Sequence, residues 1–216
     1  MNFSNRQQLI EKLQNSKGLT AFNQLCAAHD ARSQVETLTL IEADVLKLDW
    51  NKVHPGKALR IVGNLPYNIS SPLLFHLMTV ADRVIDQHFM LQKEVVDRMV
   101  ATPGSKVYGR LSVMLQYRYR MQKMFDVPPG AFTPAPKVTS SIVRMAPKKV
   151  DELLPVDLER FAVIVAAAFN QRRKTLRNAL AKLLTEEDIK KAGVDPVLRA
   201  EALDVEAFVR LARINA

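Results

Sequence analysis

Ile61-Val-Gly-Asn-Leu-Pro-Tyr-Asn-Ile-Ser70 is the stretch on which the reading of this chain turns. Just before its centre, Ala58 to Val62 is a short apolar run closed by Gly63, and such continuous hydrophobicity suits a strand covered on both faces of a parallel sheet. Just after it, Ser70 or Ser71 can cap a helix with Pro72 in its first turn and Leu73, Leu74, Leu77 and Met78 on its apolar side. Ile85 to Leu91 predicts a second strand, and Lys93 to Ala101 a helix ended by Thr102-Pro103-Gly104. Leu111 to Arg120, Gln122 to Val127 and Ser140 to Met145 alternate or cluster apolar residues as strands do. In the other direction, Thr37 to Ile41 is β-branched and runs into the acidic turn Glu42-Ala43-Asp44. Residues 5 to 32 predict one or two helices broken at Gly18, with Leu9, Ile10 and Leu13 and then Leu19, Phe22, Leu25 and Cys26 at helical spacing. Beyond the polar junction Pro147 to Pro155 the chain turns helical: Val156 to Leu184 carries no breaker, Thr185-Glu-Glu-Asp188 can cap another helix, and Asp195-Pro196 and Asp204 mark two further starts. The expectation is three parts: a helical segment at 1–37, an α/β core at 38–150 that finishes β-rich, and a small all-α domain at 156–216.

The chain has 216 residues and a net charge of +9, enough length for one substantial core with an appendage and a bias toward a polyanionic partner. The bias is local. Residues 101–150 carry nine Lys or Arg against the single acid Asp126, as expected of a surface that neutralises phosphates and releases counterions. A single cysteine, Cys26, excludes an internal disulfide and any cysteine-based zinc cluster, and His29, His54, His76 and His88 have no metal-ligand spacing. The longest apolar runs, such as Phe161 to Phe169, are too short to span a bilayer. A cytoplasmic protein with no membrane partner and no metal is expected; its oligomeric state is left open.

The segment Asn64-Leu-Pro-Tyr67 suits one demanding reaction. An exocyclic adenine nitrogen is a poor nucleophile because its lone pair is delocalised into the ring. Two acceptors, the Asn64 amide oxygen and a main-chain carbonyl next to Pro66, can take both amino hydrogens and aim the lone pair at an incoming methyl group. Tyr67 offers a flat face for a flipped-out base, and the carboxyl end of a strand is where open parallel sheets bind ligands. The same Gly, Pro and Asn residues also suit a plain turn.

The chain resembles the ribosomal RNA adenine N6,N6-dimethyltransferases, the family of the kasugamycin-sensitivity methyltransferase. Ile61 to Ser70 with Pro72-Leu-Leu-Phe-His76 is similar to the family's catalytic loop and next helix, and Phe89-Met-Leu-Gln-Lys-Glu-Val95 and Tyr108-Gly-Arg-Leu-Ser-Val113 to two further blocks. Val127-Pro-Pro129 with Phe132-Thr-Pro-Ala-Pro-Lys-Val138 resembles a late motif whose aromatic lies near the target base, and Phe169-Asn-Gln-Arg-Arg-Lys-Thr-Leu-Arg-Asn178 the signature opening the helical domain. The resemblance implies a Rossmann-like methyltransferase sheet followed by a helical RNA-binding domain. It also implies S-adenosylmethionine-dependent N6,N6-dimethylation of adenines in small-subunit (16S) ribosomal RNA during ribosome assembly, with the small ribosomal subunit as partner. Carried over by residue, it assigns methyl transfer to Asn64, Leu65, Pro66 and Tyr67 and the aromatic wall to Phe132. Asp44, with Asn64, falls to the cofactor, Asp44 accepting from its adenine amino group. Arg172, Arg173, Lys174 and Arg177 fall to RNA, with Lys93, Lys106 and Arg110 as weaker candidates.

One departure matters. Close approach to the methionine end of the cofactor calls for a glycine-rich loop after the first strand, yet Gly18, Gly56, Gly63, Gly104, Gly109, Gly130 and Gly193 contain no Gly-x-Gly pattern. The acidic residue expected after the second strand has no convincing counterpart either. The sheet is therefore expected to be incomplete at its N-terminal side and cofactor binding weakened or lost. A non-catalytic RNA-binding or ribosome-assembly protein is the alternative. Antibiotic-resistance methylases of large-subunit RNA are a third and narrower one, against which the Phe169 to Asn178 signature argues.

Overall fold

A computed structural model describes residues 41–66 and 68–214. The helices expected at 5–32, the role of segment 1–37, nearly all of the strand at Thr37 to Ile41, and Tyr67 lie outside the described residues. Strands β1 (Leu59–Asn64), β2 (Val84–Gln92), β3 (Tyr119–Val127) and β4 (Ser140–Pro147) form one mixed sheet in the order β1-β2-β4-β3. Parallel neighbours require a crossover. Helix α1 (Ser70–Met78) supplies it between β1 and β2, which pair Ile61 with Gln87 and Asn64 with Met90. Strand β4 runs antiparallel to both β2 and β3.

Alternation divides the sheet into two unlike faces. Phe89, Leu91, Val143 and Met145 are buried on one, beneath Leu74 and Leu77 of α1, Val96 and Met99 of α2 (Lys93–Met99) and Leu115 of α3 (Arg110–Arg118). The packing is tight at Gly63, where an added Cβ would sit 3.2 Å from the Leu65 side chain, which would have to give way slightly, and 3.5 Å from the Phe89 ring. Tyr119 locks three elements: its hydroxyl donates to the Leu77 carbonyl (3.1 Å) and accepts from Gln87 Nε2 (3.1 Å). Burial pushes that phenol up to about 12. On the other face Asn64, Val62 and Arg60 pair in register with Met90, His88 and Asp86. The buried Asp86 carboxylate is held there by Arg60 (2.8 Å) and Arg144 (3.5 Å). Among the described residues no strand pairs with the outer edge of β1.

Three expected elements differ. Leu111 to Arg120 is not a strand: α3 occupies Arg110–Arg118, and β3 begins at Tyr119. Ser112, Val113, Met114, Leu115, Tyr117 and Arg118 are all buried, so the segment is enclosed almost all round and its apolar alternation carries no strand information. The helix is also started locally, since Ser112 Oγ accepts from the Gly109 N–H (3.1 Å). At α1, neither serine caps. The helix begins at Ser70, and Pro72 falls within its first turn, where a missing N–H costs nothing. Asp195-Pro196 makes a turn rather than a helix start: Asp195 accepts from the Val197 N–H, and the Pro196 and Leu198 carbonyls receive the N–H groups of Arg177 and Leu176. Those bonds satisfy the first turn of α5 (Leu176–Ala179).

In the helical part the run Val156 to Leu184 is not helical at 171–175 and 180–184, while the caps expected at Thr185 and Asp204 form. Asp157 accepts from Glu159 and Arg160 N–H groups at the start of α4 (Leu158–Asn170). Thr185 and Asp188 cap α6 (Glu186–Lys191) reciprocally, and Asp204 accepts from Ala207 at the start of α7 (Val205–Arg213). Phe161, Ile164, Val165, Phe208 and Leu211 form a second core that takes in Val113, Met114 and Tyr117. Helix α3 thus serves both cores, with Leu115 facing the sheet.

Candidate active site and nucleic-acid interface

Asn64 ends β1, half-buried and paired in register with Met90. One further ladder bond, from the Leu65 N–H to the Met90 carbonyl (3.2 Å), carries the backbone past the strand, and the Leu65 side chain is buried in the sheet core. Pro66 then turns the chain into α1, its carbonyl accepting from the Ile69 N–H (3.2 Å). The Leu65 carbonyl accepts no backbone hydrogen bond from another described residue. Asn64 and Leu65 therefore combine a side-chain amide with an adjacent main-chain acceptor on a support fixed by strand register.

Phe132 reaches the same end of the sheet from 68 positions further along the chain (132 − 64). The ring is half-buried against Met90 and Ile142, and Met90 pairs with Asn64 on one side and Ile142 on the other. The 3₁₀ turn Pro129–Ala131 delivers it, closed by the Phe132 N–H on the Pro129 carbonyl (3.1 Å). An amide, a carbonyl and an aromatic ring thus gather round the carboxyl ends of two parallel strands, where such sheets take ligands.

Asp44 lies in an exposed turn. One carboxylate oxygen accepts from the Leu46 N–H (3.0 Å), and Lys47 approaches the other at 3.8 Å. The following segment is anchored by residues that sequence reasoning passed over. The Leu48 carbonyl accepts from His76 Nε2 (3.0 Å), and Arg83 donates to the carbonyls of Trp50, Val53, His54 and Lys57 (2.9, 3.0, 2.8 and 3.2 Å). No sequence signal marks these two, because backbone carbonyls are their partners.

The basic candidates fall in three places. Lys106, Arg110 and Arg172 line one cavity of about 340 Å³ at the start of α3, together with Arg98, which the sequence reading missed. Nothing in the spacing announces Arg98, because a folded-back loop at 101–109 brings α2 and α3 together. Arg173 and Lys174 are exposed beyond α4, and Arg177 lies 3.9 Å from Glu186. Lys93 stands apart. Its ammonium bonds to Asp97, which also receives Lys123 (3.1 Å). Burial pushes the Asp97 carboxyl upward, but the hydrogen bonds from Lys93 and Lys123 outweigh it and hold the group below its ordinary range.

The sequence pattern of the ribosomal RNA adenine dimethylases matches residues 9–216. The chain belongs to that family. It is 55% identical over 203 residues to ribosomal RNA small subunit methyltransferase A of Aromatoleum aromaticum, covering 94% of this chain and 76% of that protein. To the protein of that name in Thiobacillus denitrificans it is 58% identical over 173 residues, 80% of this chain and 67% of the other. Among solved structures it is similar to a dimethyladenosine transferase from Plasmodium falciparum, with a TM-score of 0.60 and 26% identity over 70% of this chain and 65% of that one. The 23S rRNA methyltransferase ErmE shares the fold, with a TM-score of 0.58 at 24% identity over 82% and 71% of the two chains. The four-stranded sheet with its helices is thus the Rossmann-like α/β sheet of these methyltransferases. Among the described residues no helix is long and apolar enough to cross a membrane.

Proposed function

We propose that this family member dimethylates N6 of adenines in small-subunit (16S) ribosomal RNA, with S-adenosylmethionine as methyl donor and the small ribosomal subunit as partner. The observation that supports it most is the junction of Asn64, the Leu65 carbonyl and Phe132 around Met90. The target base enters with its amino group on the Asn64 amide oxygen and the Leu65 carbonyl. Both amino hydrogens are then occupied, and the nitrogen lone pair is turned out of conjugation. Phe132 and Tyr67 are the proposed faces for the flipped base. After the first transfer one hydrogen remains, so either acceptor alone can hold the monomethylated base for the second. Such a substrate locates the reaction in the cytoplasm.

The residues present fit one end of the cofactor. Asp44 offers an exposed carboxylate on an ordered turn, suited to an adenine amino group. When bound, the cofactor supplies a methyl on a cationic sulfur, an electrophile that needs no metal. The methionine end has no Gly-x-Gly in this chain to approach it, so weak cofactor affinity is part of the proposal. For RNA, Lys106 and Arg110 with Arg98 meet phosphates at the cavity beside α3, and Arg173, Lys174 and Arg177 extend the surface. Lys93, tied to Asp97, is a contact of the base-proximal strand.

Transfer of labelled methyl groups from S-adenosylmethionine to undermethylated small subunits tests the reading, with Asn64→Ala as the control that keeps RNA binding and loses transfer. Salt-sensitive RNA binding with no cofactor uptake would replace it by the non-catalytic alternative.

A further inference from the structure

The loop at 102–109 between α2 and α3 carries Lys106 and ends one residue before Arg110, and it is held from outside at several points. Glu201, in the 3₁₀ turn Ala200–Ala202, holds it once directly and once through Arg172. Its own carbonyl accepts from the Gly104 N–H (2.7 Å), and its carboxylate accepts from Arg172 Nε (3.0 Å). Arg172 in turn donates through Nη2 to the carbonyls of Lys106 and Tyr108, the latter at 3.3 Å. At the far end Ser112 Oγ accepts from Gly109 and donates to the Arg98 carbonyl. The Tyr108 ring is fully buried, edge-on to Phe169 with centroids 6.2 Å apart.

Two features give this arrangement a functional reading. First, a carboxylate beside a basic cavity repels a polyanion unless its charge is already engaged, and the Glu201 carboxylate is engaged by Arg172. Second, Arg172 and Glu201 are part exposed (45% and 34%), so the ion pair itself adds little stability. Its consequence is geometric. A planar guanidinium with two edges satisfied by fixed acceptors sets the position of residues 106 and 108, and lysine lacks that fork. Lys106 and Arg110 are exposed around the cavity, so their reach toward a ligand depends on the loop's position.

We propose that Arg172 and Glu201 are positioning residues for RNA binding: as a pair they fix the loop at 104–108 so that Lys106 and Arg110 meet phosphates, while Arg172 stays on protein carbonyls. The inference rests on the reading that this cavity takes RNA phosphates. It assigns an acidic residue a favourable part in binding a polyanion.

The sign of the E201Q effect decides between positioning and direct contact. Binding of labelled small-subunit ribosomal RNA is measured over a salt series for the full chain, E201Q, R172K, the double variant and K106A. Under the proposal E201Q weakens binding although it removes a negative charge. The slope of log affinity on log salt becomes shallower by about 1 for each phosphate no longer neutralised. R172K does the same, and the double variant is no worse than either single one, because both remove one device. Tighter binding by E201Q, from a freed guanidinium and one fewer acid, overturns the proposal, as does an unchanged slope. Amide hydrogen exchange on the same proteins without RNA separates the two layers. Faster exchange at Gly104 and Tyr108 in E201Q and R172K, with sheet amides and K106A unchanged, is expected. Unaltered exchange in E201Q and R172K refutes the positioning claim whatever RNA does. Altered exchange with no RNA binding by the unsubstituted chain refutes the RNA role and the reading beneath it, leaving a loop clamp alone.

Discussion

The two ends of the proposed site are built differently. At the strand end, Asn64 and Leu65 are placed by backbone register and a buried leucine, and Phe132 rests on Met90 and Ile142; the supports are short and apolar. At the α3 end, long cationic side chains surround a cavity whose shape comes from a loop, an ion pair and hydrogen bonds to carbonyls. On the proposed assignment, a transfer geometry tolerant of only small displacements sits on the shorter, apolar support. Phosphate binding, which is long-ranged and sequence-independent, tolerates the other.

Substitutions that strike only one end sharpen this contrast. The largest effect is expected from Asn64→Ala: methyl transfer to small subunits falls ~100-fold or more, while RNA affinity in the salt series stays at the unsubstituted value. If both fell together, the two ends would not be separable. Next comes the support itself. Leu77→Ala, in a fully buried position above the sheet, should lower stability by about 2–5 kcal/mol in denaturant titration, with transfer and RNA binding disappearing together at the unfolding midpoint. Phe132→Ala should cost transfer by about 1–3 kcal/mol, the worth of a stacked base, and leave the salt slope alone. A changed slope would move Phe132 to the phosphate side of the comparison. Lys106→Ala should do the reverse, making the salt dependence shallower by about 1 while catalysis at saturating RNA persists.

The smallest effect concerns pH. Asp97 is held below its ordinary value of 3.8 by Lys93 and Lys123, after burial has pushed it the other way. A depressed carboxylate gives stability that is fully present above its unfolded value and is lost as pH falls through the folded one. Unfolding midpoints of Asp97→Asn should therefore trail the unsubstituted chain above pH 4 and converge with it in stronger acid. A constant gap would exclude this ionisation as the source.

The same contrast explains what is legible before any coordinates. Asn64 to Pro66 stand in one segment, where strand, turn and helix signals follow in order, and a local backbone motif is written in consecutive residues. Phe132 is singled out by its motif, but its seat on Met90 depends on β4 lying between β2 and β3, which no local pattern states. Arg98 and Glu201 give no signal at all. Each acts through a loop that returns from elsewhere, and a charged residue reads alike whether it faces solvent or a backbone carbonyl. Helix α3 misleads for the opposite reason: with both sides buried, period 2 and period 3.6 become indistinguishable.

By itself the sequence determined the family, the α/β order through the first two strands and the helix caps at Thr185 and Asp204. These follow from short-range sterics and hydrogen bonding, which adjacent residues settle among themselves. Only the tertiary structure decided that Phe132 shares a support with Asn64, that α3 is a helix serving two cores, and that Arg172 turns toward Lys106 and Tyr108. Those outcomes depend on which distant surfaces meet, and burial and long side chains take their partners from that meeting rather than from their neighbours in the chain.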